Sequence, residues 1–180
     1  MGEIIAFVSI KGGVGKTTMA LETASTLANN FGMRVLLVDA NFSAPSLELH
    51  LGLEPELTLN DVLYDDNQMH RAIYEKHGFD VCPAALIYRK NVDAFRLKRV
   101  LNKIKDRYDF IILDSSPNYF ELVPVVAAAD KLFLVTTPDA PTLGTSLRAA
   151  RAALEQRTPI NGIIVNKIRH PKYELSLKEI

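Results

Sequence analysis

The residues best suited to chemistry lie near the start of the chain. Lys11-Gly12-Gly13-Val14-Gly15-Lys16-Thr17-Thr18 brings glycines, two lysines and two hydroxyls into one short stretch. Glycine has no Cβ, so such a stretch can curl tightly and let its backbone approach a ligand. Its N–H groups can then converge on an anion, and the positive end of a following helix adds to them. Lys16 suits the β- and γ-phosphates of a nucleotide as a point charge. The Thr17 hydroxyl suits Mg²⁺, a hard cation that prefers oxygen ligands. The general phosphate-loop spacing, G-x-x-x-x-G-K-[ST], has glycine where this chain has Ile10. A second lysine, Lys11, stands directly before the glycine pair. A plain surface turn would also use glycines. The flanking pattern favours the nucleotide reading, because a strand must deliver this loop and a helix must follow it.

Both elements are legible. Residues 4–8 form an apolar run of strand length, and Ala20, Leu21, Ala24 and Leu27 repeat at helical spacing. The helix is expected from about Thr17 to Asn30, with Gly32 as a left-handed cap. Further apolar runs at residues 34–39, 79–82, 108–114, 131–136 and 160–166 read as strands. Between them, helices are expected within 40–53, over 58–64 with Thr58 as N-cap, over 70–76, over 93–108, over 122–129 and over 142–156. In 142–156, Leu143, Leu147, Ala150 and Leu154 are expected to face inward. Residues 174–180 read as the opening of a further helix. Strands alternating with helices predict an α/β fold, a doubly wound, mostly parallel sheet flanked by helices. Ligands in such sheets bind beyond the carboxyl ends of the strands. The first strand delivers the phosphate loop there. The second delivers Asp39, the fourth Asp114 and the last Asn166. A lone aspartate at a strand end is often only a turn former. The apolar run before each of these favours a role in holding the waters of a bound Mg²⁺.

The remaining chemistry-bearing residues read more plainly. Cys82 ends a short apolar strand before Pro83 and is expected to be a buried, inert thiol. His50, His70, His77 and His170 lack metal spacing and read as surface or helix-end residues. On the helix expected over 93–108, Leu97, Val100, Leu101, Ile104 and Tyr108 form an apolar face. Arg96, Arg99, Lys103 and Arg107 form a stripe beside it, either a patch for DNA or acidic lipid or a solvated face. The chain's 21 basic and 21 acidic residues balance, which favours the solvated face.

With 180 residues, 48% hydrophobic and 23% charged, the chain suits one globular domain rather than a disordered segment. One cysteine excludes an intramolecular disulfide and cannot supply a thiolate cluster alone. No apolar run approaches the roughly 20 residues of a membrane span, and no basic segment precedes the first apolar run as in a secretory signal. A cytoplasmic location is the resulting expectation.

The loop from Lys11 to Thr17 resembles the deviant phosphate loop of the MinD/ParA superfamily of dimerising ATPases. Asp39-Ala40-Asn41 resembles its first switch segment, D-x-D, with Asn41 in place of the second aspartate. Asp114-Ser115-Ser116-Pro117 resembles the second switch, D-[ST]-x-P. Leu51-Gly52-Leu53, Thr136-Thr137-Pro138-Asp139 and Val165-Asn166-Lys167 resemble later family segments, in order, and MinD-like members most closely. The resemblance implies ATP and ADP as ligands with Mg²⁺. It implies binding by Gly12, Gly13, Val14, Gly15, Lys16, Thr17 and Thr18, an adenine contact at Asn166, and Thr17, Asp39 and Asp114 around the metal. It implies that Lys11 reaches across an ATP-dependent homodimer and, with Lys16 and Asn41, forms the catalytic set of a slow ATPase. An ATP-locked clamp is the alternative, because an amide at 41 cannot accept a proton as a carboxylate does. Family members act in division-site placement or in partitioning DNA or other cargo. A protein activator or cargo adaptor is therefore an expected partner. The resemblance further implies a C-terminal portion beyond residue 180, through which membrane or nucleoid contact is made in the family.

Overall fold

In the computed structural model, residues 2–87, 93–169, 174–176 and 179–180 are described. The strands are β1 (Glu3–Val8), β2 (Val35–Ala40), β3 (Tyr74–Lys76), β4 (Phe79–Cys82), β5 (Phe110–Ser115), β6 (Lys131–Thr136) and β7 (Ile160–Val165). The helices are α1 (Lys16–Phe31), α2 (Leu47–Leu51), α3 (Leu59–Tyr64), α4 (Leu97–Asn102), α5 (Tyr119–Ala128) and α6 (Ala140–Gln156). The strands form a single sheet in the order β3-β4-β2-β5-β1-β6-β7, parallel except for β3 against β4. The expected doubly wound, mostly parallel architecture is therefore present.

The apolar runs are continuous because both faces of the sheet are covered. Along β2, Leu36, Val38 and Ala40 pack into one core with residues of α3, α4, α5 and α6. The alternate residues Val35 and Leu37 pack into a second core with Ala20 and Ala24 of α1 and Leu47 and Leu51 of α2. Gly32 caps α1 at φ 64. Thr58 begins α3 in a reciprocal capping box with Asp61.

Three sequence expectations need correction. Residues 70–76 are not helical: a 3₁₀ turn over Asp66–Arg71 precedes the short strand β3. His77 and Gly78 take φ 54 and 85, the left-handed values of a two-residue hairpin turn, and with β3 counted Asp114 stands near the end of the fifth strand rather than the fourth. The helix expected over 93–108 is broken into a 3₁₀ turn (Ala94–Arg96), α4 and a second 3₁₀ turn (Lys105–Arg107). Its apolar face is buried as expected. The break coincides with Lys105, which turns inward to Asp130 at 2.6 Å, while the Asp130 carboxylate also accepts from Ile4 N at 2.8 Å.

The third correction concerns α6. It buries Thr142, Ser146, Ala149, Ala152 and Ala153, whereas Leu147 and Leu154 are 68% and 73% exposed. Small side chains allow close approach to the sheet, and Ser146 Oγ donates to Thr136 Oγ1 at 3.2 Å. At the tail, Glu179 N and Ile180 N donate to Ser176 O and Ser176 N donates to Glu179 Oε2 at 2.8 Å, bonds of the kind that open a helix; residues 177–178, like His170, lie outside the described residues.

Ile112 lies fully buried at the centre of β5, between β1 and β2. Ile112→Ala should cost about 2–5 kcal/mol of unfolding free energy, read from the urea midpoint. A loss under about 1 kcal/mol would contradict its place in a tightly packed core.

Candidate functional site

A cleft of about 520 Å³ opens at the carboxyl ends of the strands. It is lined by Gly12, Gly13, Gly15, Lys16, Thr17 and Thr18, by Asn41 and Ala44 after β2, by Ser115 and Pro117 after β5, and by Asn166 and Lys167 after β7. The loop after β1 makes its turn through Gly13 and Gly15, at φ 73 and 105. A Cβ on Gly15 would stand 2.3 Å from Asn166 Nδ2. Glycine at 15 is thus required both by conformation and by the close approach of Asn166.

Lys16 opens α1 and is only 6% exposed. Its Nζ donates to Lys11 O at 3.2 Å, folding the side chain back over the loop. Burial pulls its ammonium below the usual value, an effect partly offset by Asp114. Thr17 Oγ1 donates to Asp114 Oδ2 at 2.6 Å. The other Asp114 oxygen, Oδ1, is buried and has no hydrogen-bond partner among the described residues. A buried carboxylate oxygen left unbonded is costly unless a ligand or water meets it. Burial pushes the Asp114 carboxyl up to about 7; the Thr17 bond and Lys16 oppose this rise, and Asp39 adds to it.

Asp39 is paired in register with Asp114 on the adjacent strand. Its carboxylate accepts Asn41 N at 3.0 Å, Ser46 N at 3.0 Å and Leu47 N at 3.1 Å. It therefore closes the loop after β2 and caps the start of α2. Burial still pushes its carboxyl up to about 6. Asn41, 8% exposed, turns its amide onto its own loop: Nδ2 donates to Ala44 O at 2.6 Å, and Oδ1 accepts from Ala44 N at 3.3 Å.

Asn166 Nδ2 donates to Val14 O at 2.8 Å, and Lys167 Nζ donates to Gly13 O at 2.6 Å. The end of β7 thus holds two carbonyls of the glycine-rich loop. Lys167, at φ 58, was not singled out as a site residue from sequence, nor were Ser43 and Glu121, which join the two flanking loops. Nothing in the spacing of the chain marked them. Lys11 is exposed and lies outside the cleft, on a neighbouring groove of about 330 Å³ with Asp139, Thr142, Lys167 and Arg169.

The site residues expected from sequence therefore assemble at one edge of the sheet, with Lys11 turned to the side. The basic stripe lies elsewhere, on and around α4, where Arg96 Nη1 donates to Tyr64 O at 2.9 Å. Cys82 is fully buried, and burial pushes its thiol upward, as an inert cysteine requires. Among the described residues no His/Cys/Asp/Glu group has the form of a metal cluster, and no helix is long and apolar enough to cross a membrane. The donors that fit Mg²⁺ are instead a hydroxyl, Thr17, and the unbonded Asp114 oxygen, the few hard oxygens with room for waters that this ion prefers.

The folded chain holds the Asp114 proton up to about 7, whereas an ordinary aspartate releases it near 3.8. The folded state binds more protons in that window, so this group's contribution to stability falls as pH rises through it. In metal- and nucleotide-free buffer, Asp114→Asn should gain on the native chain in urea stability between about pH 4 and about pH 8. A constant difference across that window would contradict the buried, unbonded carboxylate.

A family model described as AAA domain matches residues 2–145. An uncharacterized ATP-binding protein of Methanocaldococcus jannaschii is 35% identical over 185 residues, covering 100% of this chain and 70% of that protein. The septum site-determining protein MinD of Bacillus subtilis is 33% identical over 180 residues, covering 94% of this chain and 66% of its own length. The structure of the septum site-determining protein MinD from Pyrococcus horikoshii, complexed with Mg-ADP, superposes with a TM-score of 0.90 at 28% identity, over 99% of this chain and 75% of that one. A glycine-rich loop between β1 and α1, carboxylates near the ends of β2 and β5 and this likeness along the whole chain agree: the chain belongs to the MinD/ParA superfamily of phosphate-loop ATPases.

Proposed function

We propose that this chain binds ATP with Mg²⁺ in the cleft, dimerises in that state and hydrolyses ATP slowly. Its role would be spatial organisation, as in division-site placement or the partitioning of DNA or another cargo. The observation that carries the reading is the buried, unbonded Asp114 Oδ1 beside Thr17 and Lys16, a position that a metal-bound water would satisfy.

In this reading the N–H groups of Gly12 to Thr18 cradle the phosphates, and Lys16 leaves Lys11 O to meet the β- and γ-oxygens. Bound Mg²⁺ supplies charge neutralisation on those oxygens. Thr17 ligates it, and Asp114 and Asp39 act from the outer shell. Asp39 does so with three N–H groups already on its oxygens, so its larger part is to hold the Asn41 loop. Asn41 positions the attacking water; positioning and charge stabilisation dominate phosphoryl transfer, and a neutral amide suffices for them. Asn166 steadies the loop through Val14 O, and we assign it the adenine contact. Lys11 lines a groove outside its own cleft, which supports giving it the task of an arginine finger on a partner's nucleotide.

A second reading has one observation in its favour. Both ends of the Asn41 amide are engaged by Ala44, which suits a clamp that holds ATP and recruits a protein partner without turnover. Contact with a membrane or nucleoid, through further chain or through the Arg96/Arg99/Lys103/Arg107 stripe, belongs to either reading as a question of cargo.

Phosphate release from Mg·ATP, run alongside oligomer size in ATP and in ADP, separates the two. Lys16→Ala should abolish both turnover and ATP-dependent dimerisation. Lys11→Ala should keep ATP binding and lose turnover by about 10-fold or more; unchanged turnover would remove its assigned role. Turnover in the native chain above the Lys16→Ala blank supports the ATPase. Asn41→Asp places a carboxylate against Ala44 O in place of a donor. If that variant alone turns over, while the native chain binds ATP and dimerises, the chain is a clamp.

A further inference from the structure

Two loops flank the cleft, residues 41–46 after β2 and 116–118 after β5, and a carboxylate ties them together. Ser43 N donates to Glu121 Oε2 at 3.1 Å, and Ser43 Oγ donates to the same oxygen at 3.2 Å. Ser43 Oγ also lies 3.2 Å from Ser116 Oγ, which accepts from Asn118 N at 3.0 Å.

Glu121 occupies the third position of α5, behind the N-cap Asn118. A glutamate there ordinarily reaches back to the N-cap N–H. Here that N–H is taken by Ser116 Oγ, and the carboxylate is spent on a loop 78 residues earlier in the chain. The bonds are partly solvent-exposed, so they can open and re-form at small cost. Ser43 sits between Asn41 and Ala44, which are joined by their own pair of bonds and both line the cleft. Holding Ser43 therefore holds Asn41. Ser116 carries the same restraint to its neighbours Ser115 and Pro117, which also line the cleft.

We propose that Glu121 is a positioning residue for nucleotide turnover. Through Ser43 it fixes the Asn41 loop against the cleft and makes the two flanking loops move as one unit. The inference rests on the ATPase reading above. It adds a residue that neither touches the cleft nor belongs to either switch segment.

The test is steady-state phosphate release and ATP affinity for the native chain, Glu121→Ala, Glu121→Gln, Ser43→Ala and the Glu121→Ala/Ser43→Ala pair. Hydrogen exchange over residues 41–47 is measured on the same samples. Glu121→Ala should lower kcat by about 10- to 100-fold, the scale of a misplaced reacting group, with KM changed less than about twofold. Glu121→Gln keeps an acceptor oxygen and should recover most of the turnover. Ser43→Ala keeps its backbone N–H and should lose less than Glu121→Ala. The pair should be no worse than Glu121→Ala alone, as expected for residues acting through one contact. Exchange over 41–47 should rise in Glu121→Ala and return in Glu121→Gln. Unchanged kcat in Glu121→Ala, or unchanged exchange, overturns the latch. So does an equal loss in Glu121→Gln and Glu121→Ala accompanied by a lower Tm, which marks a merely structural role. A native chain that binds ATP without turnover overturns the ATPase reading and, with it, the positioning role. Turnover in the native chain together with an indifferent Glu121 overturns the latch alone.

Discussion

Register between parallel strands is the constraint from which the rest follows. Asp39 on β2 stands directly opposite Asp114 on β5, and Asp114 stands opposite Phe7 at the end of β1. Parallel pairing makes these strands end on the same side, so the loops that follow them open onto one cleft. It also sets two carboxylates side by side in a fully buried position. Burial pushes Asp114 up to about 7, with the Asp39 charge adding to the rise, and burial alone pushes Asp39 up to about 6. Two buried carboxylates held this way carry an electrostatic cost at neutral pH that a bound cation would relieve.

The glycine-rich loop is held in shape by contacts from both ends of the chain. Its positive-φ glycines allow the turn, but Asn166 and Lys167, arriving from β7, fix two of its carbonyls. The close approach of Asn166 to Gly15 shows why the loop and the end of β7 cannot vary independently. On the other wall, Asp39 closes the Asn41 loop from beneath and Glu121 restrains it from the side. Side-chain bonds to backbone thus frame the cleft on both sides.

Much of this was legible in the sequence. Apolar runs ending in Asp39, Asp114 and Asn166 lie within one residue of the strand ends, since a strand buried on both faces leaves an unbroken hydrophobic signal. The loop from Lys11 to Thr18 lies where strand, glycines and helix placed it. What was misread depended on contacts between distant segments. The short strand β3 is too brief to show a period, and only the His77-Gly78 turn marked it. The break near residue 103 accompanies an inward lysine that finds Asp130. On α6, helical spacing points Leu147 and Leu154 inward, but the face against the sheet is made of small side chains instead. The Glu121–Ser43 contact had no local signature, because its partners are 78 residues apart.

The most direct test of metal-assisted nucleotide binding at this cleft is a calorimetric titration of ATP into the native chain, with Mg²⁺ and with EDTA. Binding through the glycine-rich loop, Thr17 and Asp114 predicts one saturable site per chain whose affinity rises when Mg²⁺ is present. Equal affinity in Mg²⁺ and EDTA, or no binding in either, would contradict it.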